Sequence, residues 1–341
     1  VRGSTKVERK RGRAFLVVAI SASVLLVLCL CSVGVGSRQV NVDQVVRALS
    51  DGAASGIDID SIRLRVPRTL LGIVIGAALA TAGALMQAVT RNPLADPTIL
   101  GLNSGAACAI VVSMAVFGLT TPSQYVWVGL LGGTLGAAIV WCVGSLGRGG
   151  PSPLKLTLAG AVVGSMFSSI TTAVLLPRIE MMSTYRFWAV GGLSGARFST
   201  LLPILPIVIA GFVCAVAVLP GLNALSLGDD VAVGLGSSPR RTQLVAWVGA
   251  ILLCGASTSL AGPIGFVGLV VPHVARILVG ADYKRIVAMG CLLGPILLLG
   301  ADVLGRFLTR PADVEVGIVT AVIGAPVFVG LVRMAAKGKA E

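Results

Sequence analysis

Charge, aromatic side chains and histidine are all scarce in this sequence. Asp, Glu, Lys and Arg make up 12% of its 341 residues, where a soluble domain carries roughly 25%. Most of the chain therefore needs a solvent other than water. The single histidine, His273, cannot build a metal cage, and the seven cysteines (Cys29, Cys31, Cys108, Cys142, Cys214, Cys254 and Cys291) include no CxxC pair. A zinc site and a disulfide framework are both excluded, and cysteines inside apolar runs read as small hydrophobes. No GxxxxGK[ST] occurs, so this chain does not cradle ATP in a P-loop. No HExxH and no paired membrane carboxylates appear either, so no catalytic constellation is expected. The 27 basic against 14 acidic residues give a net charge of +13. No RNA- or DNA-binding motif accompanies that excess, which reads as Lys and Arg on cytoplasmic loops and not as a nucleic-acid surface.

What is abundant is apolar: 55% hydrophobic residues and a mean hydropathy of +0.95. Gly 44 and Pro 16 punctuate long Leu/Val/Ile/Ala runs, as membrane helices allow. A spanning helix takes about 20 apolar residues. The first run, from Ala14 to Gly36, follows Arg2, Lys6, Arg9, Lys10, Arg11 and Arg13. It is too long for a signal peptide and lacks a small-x-small cleavage site, so it reads as a first span. Further runs lie at about 68–90, 97–117, 124–146, 155–176, 200–220, 241–260, 264–280, 286–308 and 315–334. The expected fold is all-α and polytopic, with about ten transmembrane helices. Residues 1–13 form a basic cytoplasmic segment, 14–335 the membrane domain and 336–341 a cytoplasmic tail. Basic residues at both ends (Arg333, Lys337 and Lys339 at the second) put both termini inside, which requires an even number of spans. The element at 264–280 is the weakest, being short, Gly/Pro-interrupted and the bearer of His273 and Arg276.

Glycines four apart (Gly72/Gly76, Gly132/Gly136, Gly160/Gly164, Gly290/Gly294) predict close helix packing. Tyr125, Trp127, Trp141, Tyr185 and Trp188 fall where interfacial belts are expected, the last two in an outer loop. Asn92-Pro93-Leu94 is echoed about 170 residues later by Gly262-Pro263-Ile264. An offset of five helices inverts the second half, the plan of inverted five-helix repeats. The acid deepest in a span is Asp302. Its plain reading is an i,i+4 pair with Arg306, although an intramembrane acid is a functional candidate by default.

Three stretches are too polar and too Gly/Pro-patterned for ordinary loops. One is Arg65-Val66-Pro67-Arg68 running through Gly76–Gln87 into Arg91-Asn92-Pro93-Leu94-Ala95-Asp96-Pro97. The second is the cytoplasmic segment from 222 to 238, and the third runs from Gly262 to Arg276. Together with Glu315–Thr320 and Gly324-Ala325-Pro326, these motifs resemble, in order and spacing from about 40 to 335, the ABC-type permeases for iron–siderophore, haem and cobalamin uptake.

The resemblance implies a permease subunit that dimerises, with a second copy or a related permease, around a central path. It implies two ABC ATPase subunits carrying ATP and Mg on other chains, and an extracytoplasmic binding protein, a lipoprotein, that delivers a metal chelate. This chain would bind no cofactor and sit in a bacterial cytoplasmic membrane. The opening Val, as at a literally translated alternative start, and the excess of Arg over Lys suggest a GC-rich bacterium. The implied cargo is a ferric siderophore, with haem or cobalamin as alternatives within the class and a secondary carrier as the rival outside it. By the same resemblance Asn223, Leu227, Gly228, Asp229, Asp230, Leu235 and Gly236 couple to the ATPases, the two acids suiting the start of a short helix. Asn92, Pro93, Leu94, Ser152, Pro153 and Leu154 close the cytoplasmic gate. Gly160, Gly164, Ser168 and Thr172, at four-residue steps, line the path. Arg65, Arg68 and Arg306 meet glutamates of the binding protein, a role that suits the planar guanidinium fork. His273, present in the family's motif across different substrates, is expected to pack or bond backbone.

Overall fold

A membrane interior offers the backbone no water, so apolar runs satisfy their N–H and C=O groups internally as helices. The computed structural model describes residues 2–34, 57–119, 121–147, 153–308 and 313–337, and these form helices and connecting turns without strands. In chain order the helices are α1 (Arg2–Gly34), α2 (Ile57–Thr90), α3 (Leu102–Phe117), α4 (Pro122–Gly144), α5 (Pro153–Leu175) and α6 (Ile179–Val190). They continue as α7 (Phe198–Leu225), α8 (Asp229–Gly234), α9 (Pro239–Ala261), α10 (Val267–Val279), α11 (Tyr283–Leu308) and α12 (Val316–Lys337). Seven are long and apolar enough to cross a membrane, and α3, α10 and α12 are shorter apolar helices. That makes ten apolar helices among the described residues, where the sequence led to an expectation of about ten spans. Ser152 and residues 338–341 lie outside the described residues.

Local chemistry explains several boundaries. α4 opens with a capping box between Thr121 and Gln124 and with Pro122 in the first turn, where a proline loses no hydrogen bond. α9 likewise starts on Pro239. The run expected at 97–117 divides into a 3₁₀ turn, Pro97–Leu100, and α3. Gly101 joins them at φ +71°, a conformation that glycine adopts without a Cβ clash. Two expectations are corrected. The second span is longer than 68–90, because Ile57 begins the helix and Pro67 is tolerated inside it. The outer loop holding Tyr185 and Trp188 contains α6, a helix with no buried residue, too short and too polar to register as a span.

The two ends of the bundle are fixed by polar ties. Arg91, just past α2, pairs with Asp229 at the start of α8, and Asn223 near the end of α7 bonds Asp282 and the Tyr283 amide before α11. These residues define one end, the Asp229 end. Asp302 in α11 pairs with Arg68 in α2 at the other, the Asp302 end. Helix α9 starts beside α8 and finishes at the Asp302 end, where Ala261 accepts from the Gly192 amide. Its continuation, a non-helical stretch Gly262–Phe266 and then α10, leads back to Asp282, so the weak element returns across the bundle as a broken one. α2, turn and α3 thus run opposite to α9, turn and α10, which is the relation expected of inverted repeats.

Helix α2 is the hub, with 83% of its apolar window buried. Its glycines let backbone meet backbone: a Cβ on Gly76 would stand 2.5 Å from the Pro295 nitrogen, and one on Gly83 would collide with the Gly268 carbonyl. α1 is buried over only 11% of its window and α5 over 28%. Those helices keep broad apolar faces toward lipid or a partner.

Candidate functional site

At the Asp302 end the chain builds a buried ionic cluster. Asp302 is 0% exposed and Arg306 2%, and the pair expected from the sequence closes at 2.7 Å. Arg68 adds a second bond to Asp302, with Nη2 at 2.8 Å and Nε at 3.1 Å, and reaches Asp313 at 3.1 Å. Arg306 also donates to the Ser32 carbonyl and hydroxyl, both at 3.0 Å. Arg65, 8% exposed, donates to the carbonyls of Val33 and Gly34 at 3.1 and 3.0 Å. The last turn of α1 has carbonyls without helical partners, and its negative dipole end attracts cations. Two arginines from neighbouring helices fill that need. Arg65 and Arg306 are buried in the wall, where they hold α1 to α2 and α11, and Arg68 is partly exposed beside them.

At the Asp229 end, Gly228 at φ +112° turns the chain from α7 into α8, whose first turn carries Asp229 and Asp230. Ala232 is buried, while Leu227, Val231, Val233 and Leu235 are exposed. An open groove of about 520 Å³ lies between α7 and this segment, lined by Asn223, Leu227, Leu235 and Gly236 among others. Asn223 has a different task from its neighbours. Its amide donates to Asp282 at 2.8 Å and its oxygen accepts from the Tyr283 amide at 2.9 Å. That donation is the largest cause holding the Asp282 carboxyl below its ordinary value; it outweighs the opposing desolvation, with help from the Lys284 amide and the charges of Arg285 and Lys284.

Asn92-Pro93-Leu94 forms the turn beside this segment. The Asn92 side chain accepts from the Leu94 amide at 2.9 Å, an Asx turn, and Leu94 is exposed. Pro153 and Leu154 open α5, and Leu154 is exposed too. α5 packs on the 3₁₀ turn that follows Asn92–Leu94. Arg91 stands in the first polar stretch of the sequence, where the pattern assigns it no role; it takes a positive φ of +49° one residue past the end of α2.

The stripe on α5 behaves as helix geometry dictates. Each four-residue step overshoots a turn by about 40°, so the stripe rotates along its length. Gly160 is buried, Gly164 half-buried, and Ser168 and Thr172 are exposed. Ser168 lines a cavity of about 190 Å³ with Asn103, Ser104, Thr171, Tyr185 and Trp188. A second cavity, about 400 Å³, is lined by Trp188, Tyr125, Ser194, Thr200 and Glu315. Ser194 donates to Glu315 at 2.6 Å, and the Gly317 amide to the Gly191 carbonyl at 2.9 Å, tying the start of α12 to the loop after α6. Trp188 is expected from the sequence only in an interfacial belt, and nothing in the local pattern singles out Asn103 as a site residue. Among the described residues no group of His, Cys, Asp or Glu could hold a metal ion.

Ten apolar helices with a broken pair of inverted repeats, an exposed short helix at one end and cavities at the other define a polytopic membrane transport protein. The chain belongs to the FecCD transport family, which it matches over residues 24–334. It is 40% identical over 95% of its length to the ferric enterobactin transport system permease FepD of Escherichia coli, covering 94% of that protein. It is also 40% identical over 81% of its length to the iron(3+)-hydroxamate import system permease FhuB of Bacillus subtilis, covering 71% of that protein. A solved transporter described as metal-chelate ABC type, in an inward-facing conformation, matches with a TM-score of 0.78 at 27% identity, over 95% of this chain and 99% of that one.

Proposed function

We propose that this chain is the membrane-spanning permease subunit of an ATP-driven importer of ferric siderophores. The observation that carries the reading is the near-full-length likeness to relatives named for ferric-chelate import, on a chain with no nucleotide-binding motif of its own. In this reading the Asp229 end faces the cytoplasm, together with both basic termini, in a bacterial cytoplasmic membrane. The apolar patch of Leu227, Val231, Val233 and Leu235, rimmed by Asp229 and Asp230, supports docking of ATPase subunits that hold ATP and Mg, since such rimmed patches mark protein contacts.

The Asn92–Leu94 turn and the start of α5 then lie across the inner mouth. The weakly buried faces of α5 and α12 meet a second permease copy, or a related permease, so that Ser168 and Thr172 face the path. A chelate-loaded binding protein meets the Asp302 end. There the arginine cluster sets the shape of the docking surface, with Arg68, whose side chain is 13% exposed, as its most accessible charge. The test is reconstitution: permease, ATPase and binding protein in proteoliposomes should accumulate a ferric siderophore only with ATP. Uptake that persists without the ATPase and follows an ion gradient would assign the chain to secondary carriers.

A further inference from the structure

The two cavities near the Asp302 end share one side chain, Trp188, which forms the wall between them. Its indole Nε1 is closed off from both and has no hydrogen-bond partner among the described residues. Around the smaller cavity, three side chains carry hydrogen-bonding capacity that no described residue takes up: the Asn103 amide nitrogen, the Ser168 hydroxyl and the Tyr185 hydroxyl. Asn103 is oriented from behind, because its oxygen accepts from Thr258 at 2.9 Å. Ser104 and Thr171 are satisfied by the carbonyls of Gly101 and Phe167. Three neutral groups that can donate therefore line one cup, one each from α3, α5 and α6.

The charge pattern selects among ligands. The lining of the smaller cavity contains no Lys, Arg, Asp or Glu. The larger contains one charged residue, Glu315, an acid. A polyanion would enter a low-dielectric space with no fixed cation and one repelling carboxylate, which is unfavourable by Coulomb's law. A ferric ion bound by three hydroxamates is neutral, because three single negative charges cancel the metal's three positive ones. Its surface is a shell of oxygens whose lone pairs accept hydrogen bonds. A ferric tris-catecholate carries a net charge of three minus on a comparable shell.

We propose that Asn103, Ser168 and Tyr185 form a transit site for an uncharged ferric trihydroxamate, held by these neutral donors to its ligand oxygens against the wall of Trp188. The inference rests on the permease reading and adds the chemical class of cargo, which the relatives, named for different chelates, leave open. At about 190 Å³ the cup takes one arm of the chelate, and the larger chamber across Trp188 stands beside it for the remainder.

The test is equilibrium binding to the whole permease–ATPase complex in nanodiscs without binding protein, using a radio-iron-labelled ferric trihydroxamate and a ferric tris-catecholate. Trihydroxamate should bind saturably and the tris-catecholate more weakly. Tyr185→Phe, which keeps the ring and removes the O–H, and Ser168→Ala should each weaken trihydroxamate binding by roughly fivefold, the size of one hydrogen bond. Ser168→Lys should strengthen the tris-catecholate. Equal or tighter tris-catecholate binding to the wild type, or unchanged trihydroxamate affinity in both Tyr185→Phe and Ser168→Ala, overturns the proposal. Failure of the permease reading is separate: ATP-driven uptake of neither chelate by the wild type, with its binding protein present, would overturn that reading instead.

Discussion

Asp302 binds Arg68 through one carboxylate oxygen at 2.8 Å and Arg306 through the other at 2.7 Å, at zero exposure. One acid thus joins α2 to α11, and through Arg306 and Ser32 it reaches α1. Breaking a buried pair costs about 3–5 kcal/mol, because the remaining charge has lost its partner. Asp302→Ala leaves two guanidiniums facing each other and should lower the thermal midpoint of the purified protein sharply. Asp302→Asn, which keeps acceptor geometry without the charge, should cost less. A thermal midpoint unchanged in Asp302→Ala would show that the cluster is not structural.

The Arg91–Asp229 pair invites a different expectation. Both side chains are about half exposed, and exposed pairs contribute only about 0–1 kcal/mol. Its position matters more than its energy, since it links the turn at Asn92–Leu94 to the helix proposed to dock the ATPase. Arg91→Asp should leave the thermal midpoint almost unchanged while reducing chelate transported per ATP hydrolysed. Adding Asp229→Arg should restore part of that ratio. A normal ratio in the single variant would remove the pair from coupling.

Backbone contact between α2 and α10 gives a third test. A Cβ at Gly83 would collide with the Gly268 carbonyl, whereas one at Gly234 in α8 meets nothing within 4 Å. Gly83→Ala should destabilise by about 1–3 kcal/mol, the usual range for overpacking. Gly234→Ala should stay within about 0.5 kcal/mol, as surface changes do. Equal midpoints for the two would mean that α10 gives way easily, as a re-entrant element loosely held in the bundle would.

Apolar run length made most of this fold readable, because a span has no other way to satisfy its backbone. The Gly72/Gly76 and Gly290/Gly294 pairs announced close packing without naming the partners, which prove to be α2 and α11, and the Asp302–Arg306 spacing announced one ion pair. Arg68 could not be matched to Asp302 across 234 residues by any local pattern, and the burial of Arg65 and Arg306 was not legible in the sequence. α6 escaped notice for the opposite reason: a 12-residue helix with no buried side chain has neither the length nor the periodicity that marks an element. The donors of the Trp188 cup come from three helices, and their convergence exists only after folding.

The last expectation concerns acid. Asp282 lies between α10 and α11, and the Asn223 amide, ahead of the Lys284 amide and nearby cations, holds its carboxyl below the ordinary value. A group depressed in the folded state contributes stability above its unfolded pKa and loses it as pH falls through its folded pKa. With an ordinary Asp near about 3.9, the contribution is intact at neutral pH and fades only below about pH 4. Asn223→Ala removes the largest cause, so Asp282 should return toward the ordinary range and the tie between α7 and α11 should loosen. The wild type should therefore be the more stable at neutral pH, by a margin that is flat down to about pH 5 and narrows below about pH 4. Thermal midpoints of the two proteins across that range measure it. A margin that widens on acidification, or one that changes near neutrality, would mean that a group other than Asp282 carries the acid response at this end of the bundle.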